Sequence, residues 1–331
     1  MSDSRALRVA VIGATGLVGR EIVALLDERS FPVGTLALYA SRASAGATLD
    51  FGQRERPVDT LPAEIPEVDV AFLCAPPEVS RGVAANLAEG GALVIDLAPG
   101  GLDDVPLLLG AADLGAAPRT ARGGLWVRVP DPLTRMIVAP LRALGAAAAP
   151  PIHVIATLLV SASAFGHAAV ERLSEQSIAL LSLRGEEEAS ASEGAFRCTP
   201  LAPKSPVAAR VSAEVAALTE LSSLLALHVA RVPMFHGQAA ALSLELASPV
   251  ELDKVRDALR GAPSLVVTAD EVTGAEVSTL DAIGVDAIHV VGLRQDVNDP
   301  RWLHFWALGD NVRQGAALVA VSLAEGILLK H

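Results

Sequence analysis

Gly13, Gly16 and Gly19 stand three residues apart directly behind the apolar run Val9–Ile12. That spacing is what a chain needs to bring its backbone close to a diphosphate. Val9–Ile12 reads as a strand, the glycines as a tight turn, and Leu17–Arg29 as a helix apolar at Val18, Ile22, Leu25 and Leu26. Uncapped N–H groups and the positive end of the helix dipole would face the anion. The pattern is G-x-x-G-x-x-G, with Ala14 at the usual second glycine. We therefore expect a dinucleotide site lined by Gly13, Thr15, Gly16, Leu17 and Val18.

Leu36–Ala40 reads as the second strand, and its end should meet the adenosine ribose. An acid there suits a free 2′-hydroxyl, whereas arginine with serine suits a 2′-phosphate. Ser41, Arg42 and Ser44 follow the strand and no acid does, which leans towards NADP with NAD possible. A solvated loop arginine is the plainer reading of Arg42.

The remaining elements fit an α/β protein that positions this turn. Val68–Ala75 and Ala92–Leu97 read as buried parallel strands flanking a helix at Val79–Glu89. Cys74, inside the first run, reads as an inert core thiol. Ala98–Gly124 gives few signals. Trp126–Val129 is a strand, Pro130-Asp131-Pro132 a turn and Leu133–Leu144 a helix. Then follow a strand at His153–Ser161 and a long amphipathic helix at Phe165–Leu183. Arg184–Gly194, with Glu186-Glu187-Glu188, reads as a solvated stretch. Ser205-Pro206 caps a helix running to about Leu227. Strands are expected at His228–Phe235, Ala240–Leu246, Ala287–Leu293 and Trp302–Leu308, with a helix at Pro249–Leu259. The final helix, Val312–Leu329, is apolar enough to need cover on more than one side and is expected to pack on the first domain, with Asp310-Asn311 near the nicotinamide.

A chain of 331 residues can fold as two domains with substantial cores. With 26 basic against 38 acidic residues the net charge is −12, which argues against nucleic acid or an anionic membrane as partner. Two cysteines make neither a disulfide framework nor a zinc site, so a reducing cytoplasm is expected. The longest uncharged run, Ala143–His167, is broken by Pro150-Pro151 and reads as two separate elements rather than a membrane span.

Motifs spread along nearly the whole chain resemble the aspartate-semialdehyde dehydrogenase family. They are Val11–Gly19, Phe31-Pro32, Ala40-Ser41 with Ser44-Ala45-Gly46, Val105-Pro106-Leu107, Arg231-Val232-Pro233 and Asp310–Ala317. The resemblance implies a Rossmann-type NAD(P)-binding domain at 1–128 with 311–331, and an α/β mixed-sheet dimerisation domain at 129–310. It also implies a homodimer, Asn311 at the cofactor and a role in amino-acid biosynthesis. Family enzymes reduce β-aspartyl phosphate through a cysteine thioester, with a histidine as acid and base.

The residues that chemistry requires are missing here. The nucleophile belongs in Asn-Pro-Asn-Cys-Ser/Thr, and the aligned run Val129–Thr134 puts Pro132 at the cysteine, with Asp131 at the second asparagine. The base position after Arg231-Val232-Pro233 is Gln238, which cannot take a proton at neutral pH. His236, two residues earlier, would share its face if both lay on a strand, although a histidine satisfied elsewhere is the plainer reading. The family glutamine falls at Leu159, or one residue away. Arg231, the substrate-carboxylate arginine, is kept. The phosphate-side arginine is not, since Asp96–Leu102 occupies its motif, and Leu109–Asp113 replaces Val-Pro-Glu-Val-Asn. Cofactor end and scaffold are retained while nucleophile, base and one anion clamp are lost together. The chain thus resembles the family's cysteine-less paralogues: a catalytically deficient NADP-binding dimer. The alternatives are an oxidoreductase of non-thioester chemistry using His236 or Asp131, or a structural or regulatory dimer partner.

Overall fold

The computed structural model describes residues 6–100, 104–115, 117–148, 150–182, 197–219, 221, 224–268 and 277–329. The acidic stretch around Glu186-Glu187-Glu188 lies outside them. The chain forms two compact units, Met1–Asp131 with Ala316–His331, and Pro132–Gly315.

The first unit is built on a seven-stranded sheet in the order β3-β4-β2-β1-β5-β6-β7. Its strands are β1 (Leu7–Ile12), β2 (Val33–Ala40), β3 (Thr48–Phe51), β4 (Arg54–Thr60), β5 (Val70–Leu73), β6 (Leu93–Asp96) and β7 (Leu125–Arg128). All neighbouring pairs run parallel except β3 with β4. Strand alternation sorts the core into two layers. Val9 and Val11 pack with Ile22, Leu25 and Leu26 of helix α1 (Leu17–Glu28) and with Val321 and Leu323. Ala10 and Ile12 pack instead with Ala84, Leu87 and Ala88 of α2 (Pro77–Glu89). The C-terminal helix α7 (Leu318–Leu328) lies against α1, fixed at its rim by an Arg29–Glu325 ion pair at 2.7 Å. Its six buried residues explain the unbroken apolarity of the last helix.

The second unit holds a mixed sheet in the order β12-β13-β14-β11-β8-β10-β9. These strands are β8 (Pro151–Val160), β9 (Thr199–Pro200), β10 (Leu225–Arg231), β11 (Gln238–Leu246), β12 (Leu265–Val267), β13 (Ile288–Gln295) and β14 (Trp302–Gly309). Helices α3 (Pro132–Leu144), α5 (Pro206–Leu218) and α6 (Leu252–Arg260) pack on the sheet, where Val154, Ala156, Leu158, Leu242, Leu244 and Phe305 are buried. Alternate residues face the other way. Ile155 and Trp306 remain 39% and 41% exposed, so that face is uncovered at its centre within one chain. Helix α4 (His167–Leu181) buries only Leu173 and leaves Ile178 and Leu181 outside.

Several elements depart from the sequence reading. The β3–β4 hairpin was not expected, because β4 is mostly charged, carries Pro57 and buries only Val58. The helix begun at Ser205 stops at Leu218 rather than Leu227, and Leu225–Arg231 pairs with β8 as a strand. Thr219 explains the stop: its backbone is extended and its hydroxyl caps the Val215 carbonyl at 2.6 Å. The terminal helix does not start at Val312. Arg313–Ala317 form a π-helical turn, with Gly315 N–H donating to the Asp310 carbonyl five residues back at 2.7 Å.

Candidate functional site

Strand order alone marks the first half of the site. β1 lies between β2 and β5, so the chain leaves it in opposite directions and a crevice opens at its carboxyl end. Gly13 sits there with φ +88°. A Cβ on Gly13 would lie 2.6 Å from the Cys74 carbonyl carbon and oxygen and 2.8 Å from Ala75 N. Gly13 and Ala14 N–H both donate to the Tyr39 carbonyl, at 2.8 and 3.0 Å, tying the turn to β2. Gly19 brings helix to turn, since its Cβ would stand 2.3 Å from the Gly13 carbonyl oxygen. Gly16 begins α1 with no side-chain cap, which leaves first-turn N–H groups to receive an anion. Thr15, Leu17 and Val18 flank it, half-buried. Two glycines whose Cβ atoms would strike backbone, beneath an uncapped helix start, fit a dinucleotide diphosphate.

Ser41, Arg42 and Ser44 form one turn beyond β2, closed by Ser44 N–H to the Ser41 carbonyl at 2.9 Å, with Arg42 exposed. The sequence concealed a nearby acid. β4 runs parallel to β2 and sets Asp59 opposite Tyr39, where burial first and the Asp59 charge second raise the tyrosine pKa.

In the second unit, Pro132 opens α3 and meets Gly315, whose Cβ, if it had one, would fall 2.6 Å from the proline Cβ. One turn on, buried Arg135 donates to the Gln314 carbonyl, and burial pushes its pKa down to about 10. Gln238 opens β11, is buried, and its Nε2 has no partner. It pairs with Gly309 across the ladder, so both face the same side. Gln314 Oε1 lies 3.0 Å from where a Gly309 Cβ would be, and neither polar atom of its amide is satisfied. Gln238 also pairs with Val160. Leu159 therefore points to the opposite face, where it packs with Ala239, Ala282 and Leu308.

His236 does not share a strand with Gln238. It lies in a bend before β11, and Gly237 between them has φ +79°, so the argument from alternation fails. Asn311 is buried in the second unit, its Oδ1 accepting from Ser163 Oγ at 3.0 Å and Gly237 N–H at 3.1 Å. Asp310 caps the π-turn through the N–H groups of Val312 and Arg313. Asp113 likewise accepts from Leu109 and Gly110 N–H at 2.9 and 3.1 Å, serving the chain's own turn.

Arg231, at the end of β10, lies with its guanidinium 4.1 Å over the Phe165 ring. It lines a pocket of about 180 Å³ with Arg172 and Arg197 among largely apolar neighbours such as Ala162, Leu173 and Pro233. Sequence reading missed this gathering because its arginines come from α4, the approach to β9, and β10.

Of the two thiols, Cys74 is half-buried beside Gly13, and burial, with the Asp96 charge adding, pushes its pKa far above the ordinary thiol range. Cys198 is exposed. Intact mass after native alkylation should therefore show one adduct, at Cys198. Two adducts without denaturant would mean that the first-unit core opens readily. Among the described residues no cluster of three metal-ligating side chains occurs, and no helix is long and apolar enough to cross a membrane.

Residues 8–110 match the semialdehyde dehydrogenase NAD-binding domain, and residues 141–314 match the semialdehyde dehydrogenase dimerisation domain. The chain is 30% identical to an aspartate-semialdehyde dehydrogenase of Legionella pneumophila, covering 97% of this chain and 96% of that one. It is 33% identical to a USG-1 protein homolog of Pseudomonas aeruginosa, over 99% of both. A solved structure of a probable aspartate-semialdehyde dehydrogenase from Pseudomonas aeruginosa superposes with TM-score 0.87 at 30% identity, over 99% of both chains. Aspartate semialdehyde dehydrogenase II of Vibrio cholerae, solved in complex with ASA, superposes with TM-score 0.89 at 27% identity, over 99% of this chain and 100% of that one.

Proposed function

This chain belongs to the aspartate-semialdehyde dehydrogenase family and carries its NAD(P)-binding and dimerisation domains, and from that premise we propose that it binds NADP, pairs with a second copy of itself and does not perform the thioester chemistry. The observation that carries this reading is Pro132 at the nucleophile position. It offers neither a thiol nor an N–H, and it is packed on Gly315. Gln238 at the base position removes the second requirement.

The cofactor is a nicotinamide dinucleotide, which when bound supplies or accepts a hydride. In this reading Gly13, Thr15, Gly16, Leu17 and Val18 hold the diphosphate, and Ser41, Arg42 and Ser44 meet the adenosine end. Arg42 stands one place before the family's 2′-phosphate arginine, where this chain has Ala43, and Asp59 lies on the neighbouring strand. NADPH should therefore bind only about tenfold or less more tightly than NADH, and Arg42→Ala should remove that difference. Fluorescence titration decides it: tighter NADH binding by the parent protein would take the 2′-phosphate role away from Arg42.

The open sheet face supports pairing. Thr157, Ala241 and Trp306 stand in one cross-strand row, with Ile155, Ser243 and His304 in the next. Exposed apolar residues in a contiguous patch mark an interaction surface. Light scattering at micromolar concentration should return twice the chain mass, and Trp306→Glu should shift it to the monomer. A monomeric parent protein would end the proposal.

A further inference from the structure

Arg135 is a buried cation without a counter-charge. It lies one turn into α3, 9% exposed, and donates to the Gln314 backbone carbonyl. Among the described residues no acid pairs with it, and burial alone lowers its pKa, to about 10, which leaves it charged at neutral pH. The acids around it are engaged elsewhere. Asp310 accepts from the N–H groups of Val312, Arg313 and Gly284, and buried Glu214 accepts from Thr134 Oγ1 at 2.7 Å. A charge taken out of water is costly unless something pairs with it.

Two buried amides of the same unit have polar atoms to spare. Gln314 is fully buried with neither Nε2 nor Oε1 bonded, and Gln238, 1% exposed, has an unused Nε2. Because both atoms of Gln314 are idle, its amide offers one donor and one acceptor whichever way it is turned. Gln238 faces the side to which a Gly309 Cβ would point, and that Cβ would meet Gln314 Oε1 at 3.0 Å and Met136 Sδ at 3.1 Å. Pro132, Arg135 and Met136 share one face of α3 by their spacing, and that face meets Gly315, Gln314 and the Gly309 position in turn. Helix, strand and π-turn thus bring together one positive charge, two unused amide donors and one unused acceptor. Buried polar groups left idle in this number call for a partner.

We propose that Arg135, Gln238 and Gln314 hold one small planar oxyanion that keeps an O–H, bicarbonate being the simplest. Its single charge balances the one guanidinium, and its oxygens match the paired N–H bonds of that fork. The Gln238 and Gln314 amide nitrogens donate to the same oxygens, and the ion's O–H donates to Gln314 Oε1. Nitrate and chloride carry the same charge but leave that Oε1 buried and unpaired, which costs affinity. The inference is independent of the dinucleotide and of pairing between copies.

The test is calorimetric titration and thermal unfolding of the full-length protein in carbonate-free buffer, with sodium bicarbonate, nitrate and chloride at matched ionic strength. Bicarbonate should raise the melting temperature and bind at least about tenfold more tightly than nitrate or chloride. Arg135→Met should abolish the response to all three salts. Arg135→Lys keeps the charge without the fork and should weaken bicarbonate about tenfold, which serves if the methionine variant does not fold. Gln314→Leu should bring bicarbonate to within about twofold of nitrate. A parent protein blind to all three salts, or one that binds bicarbonate no more tightly than nitrate, would overturn the proposal. So would Arg135 variants that respond to bicarbonate as the parent does, since the ion would then lie elsewhere. An unchanged bicarbonate preference in Gln314→Leu would remove the O–H contact and with it the choice of ion.

Discussion

Purified protein given aspartate semialdehyde, phosphate and NADP is expected to form no NADPH above background. Pro132 has no group that can become an acyl-enzyme, and as the first residue of α3 it is locked against Gly315, a contact that belongs to packing. Gln238 is buried and cannot accept the thiol proton. A site that loses its covalent nucleophile keeps at most what binding and positioning contribute, on the order of 10³-fold over solution. Pro132→Cys alone should stay inactive, since the new thiol would lack a base. The assay is run with and without an alkylating reagent because Cys198 is exposed and sits between Arg197 and Thr199, two residues of the arginine pocket. Accessible thiols in positive surroundings are the reactive ones. Robust turnover abolished by alkylation would show that the nucleophile has moved to Cys198 and that the family activity survives.

Gly13→Ala should cost both cofactor binding and stability. Its Cβ would enter the Cys74 peptide at 2.6 Å, and the backbone there has φ +88°. All three atoms it would meet, Cys74 C and O and Ala75 N, are backbone, which cannot swing aside as a side chain can. Strain of this kind costs about 1–3 kcal/mol, and overpacking adds about 1–3 kcal/mol. For a unit of this size the sum lowers the melting temperature by roughly 4–24 °C. NADPH affinity should fall at least 100-fold, because the turn must shift from the crevice to make room. Gly82→Ala is the control. Gly82 lies in α2, and nothing stands within 4 Å of its added Cβ, so alanine there should stabilise by about 0.5–1 kcal/mol. A Gly13→Ala protein that binds NADPH within threefold of the parent would remove the turn from the cofactor site.

The first unit was largely legible because its signals are local. Val9–Ile12, the three glycines and the helix face of Ile22, Leu25 and Leu26 are all set within 20 residues of chain, and the buried strands β5 and β6 announce themselves by continuous apolarity. The absence of cysteine at position 132 is likewise a matter of residue identity, which folding cannot alter. β3 and β4 were illegible because their polar composition contradicts a strand, and they exist through pairing to each other and to β2. The end of α5 was misplaced for the complementary reason. Leu225–Leu227 continue an Ala- and Leu-rich run that suits a helix, and it is the neighbouring strand β8 that makes them a strand.

At the candidate site the division is sharper. Residue types alone determined that the glycine turn can cradle a diphosphate and that Pro132 and Gln238 carry neither thiol nor imidazole. Tertiary structure decided the rest. A positive φ at Gly237 takes His236 off the strand on which alternation would have aligned it with Gln238. Buried donors claim the Asn311 oxygen, and ladder register puts Val160 rather than Leu159 beside Gln238. Arg172, Arg197 and Arg231 line one pocket although 25 or more residues separate each from the next. Period and propensity describe neighbours along the chain, and a pocket is made by neighbours across it, which become adjacent only when strands pair and helices settle on them.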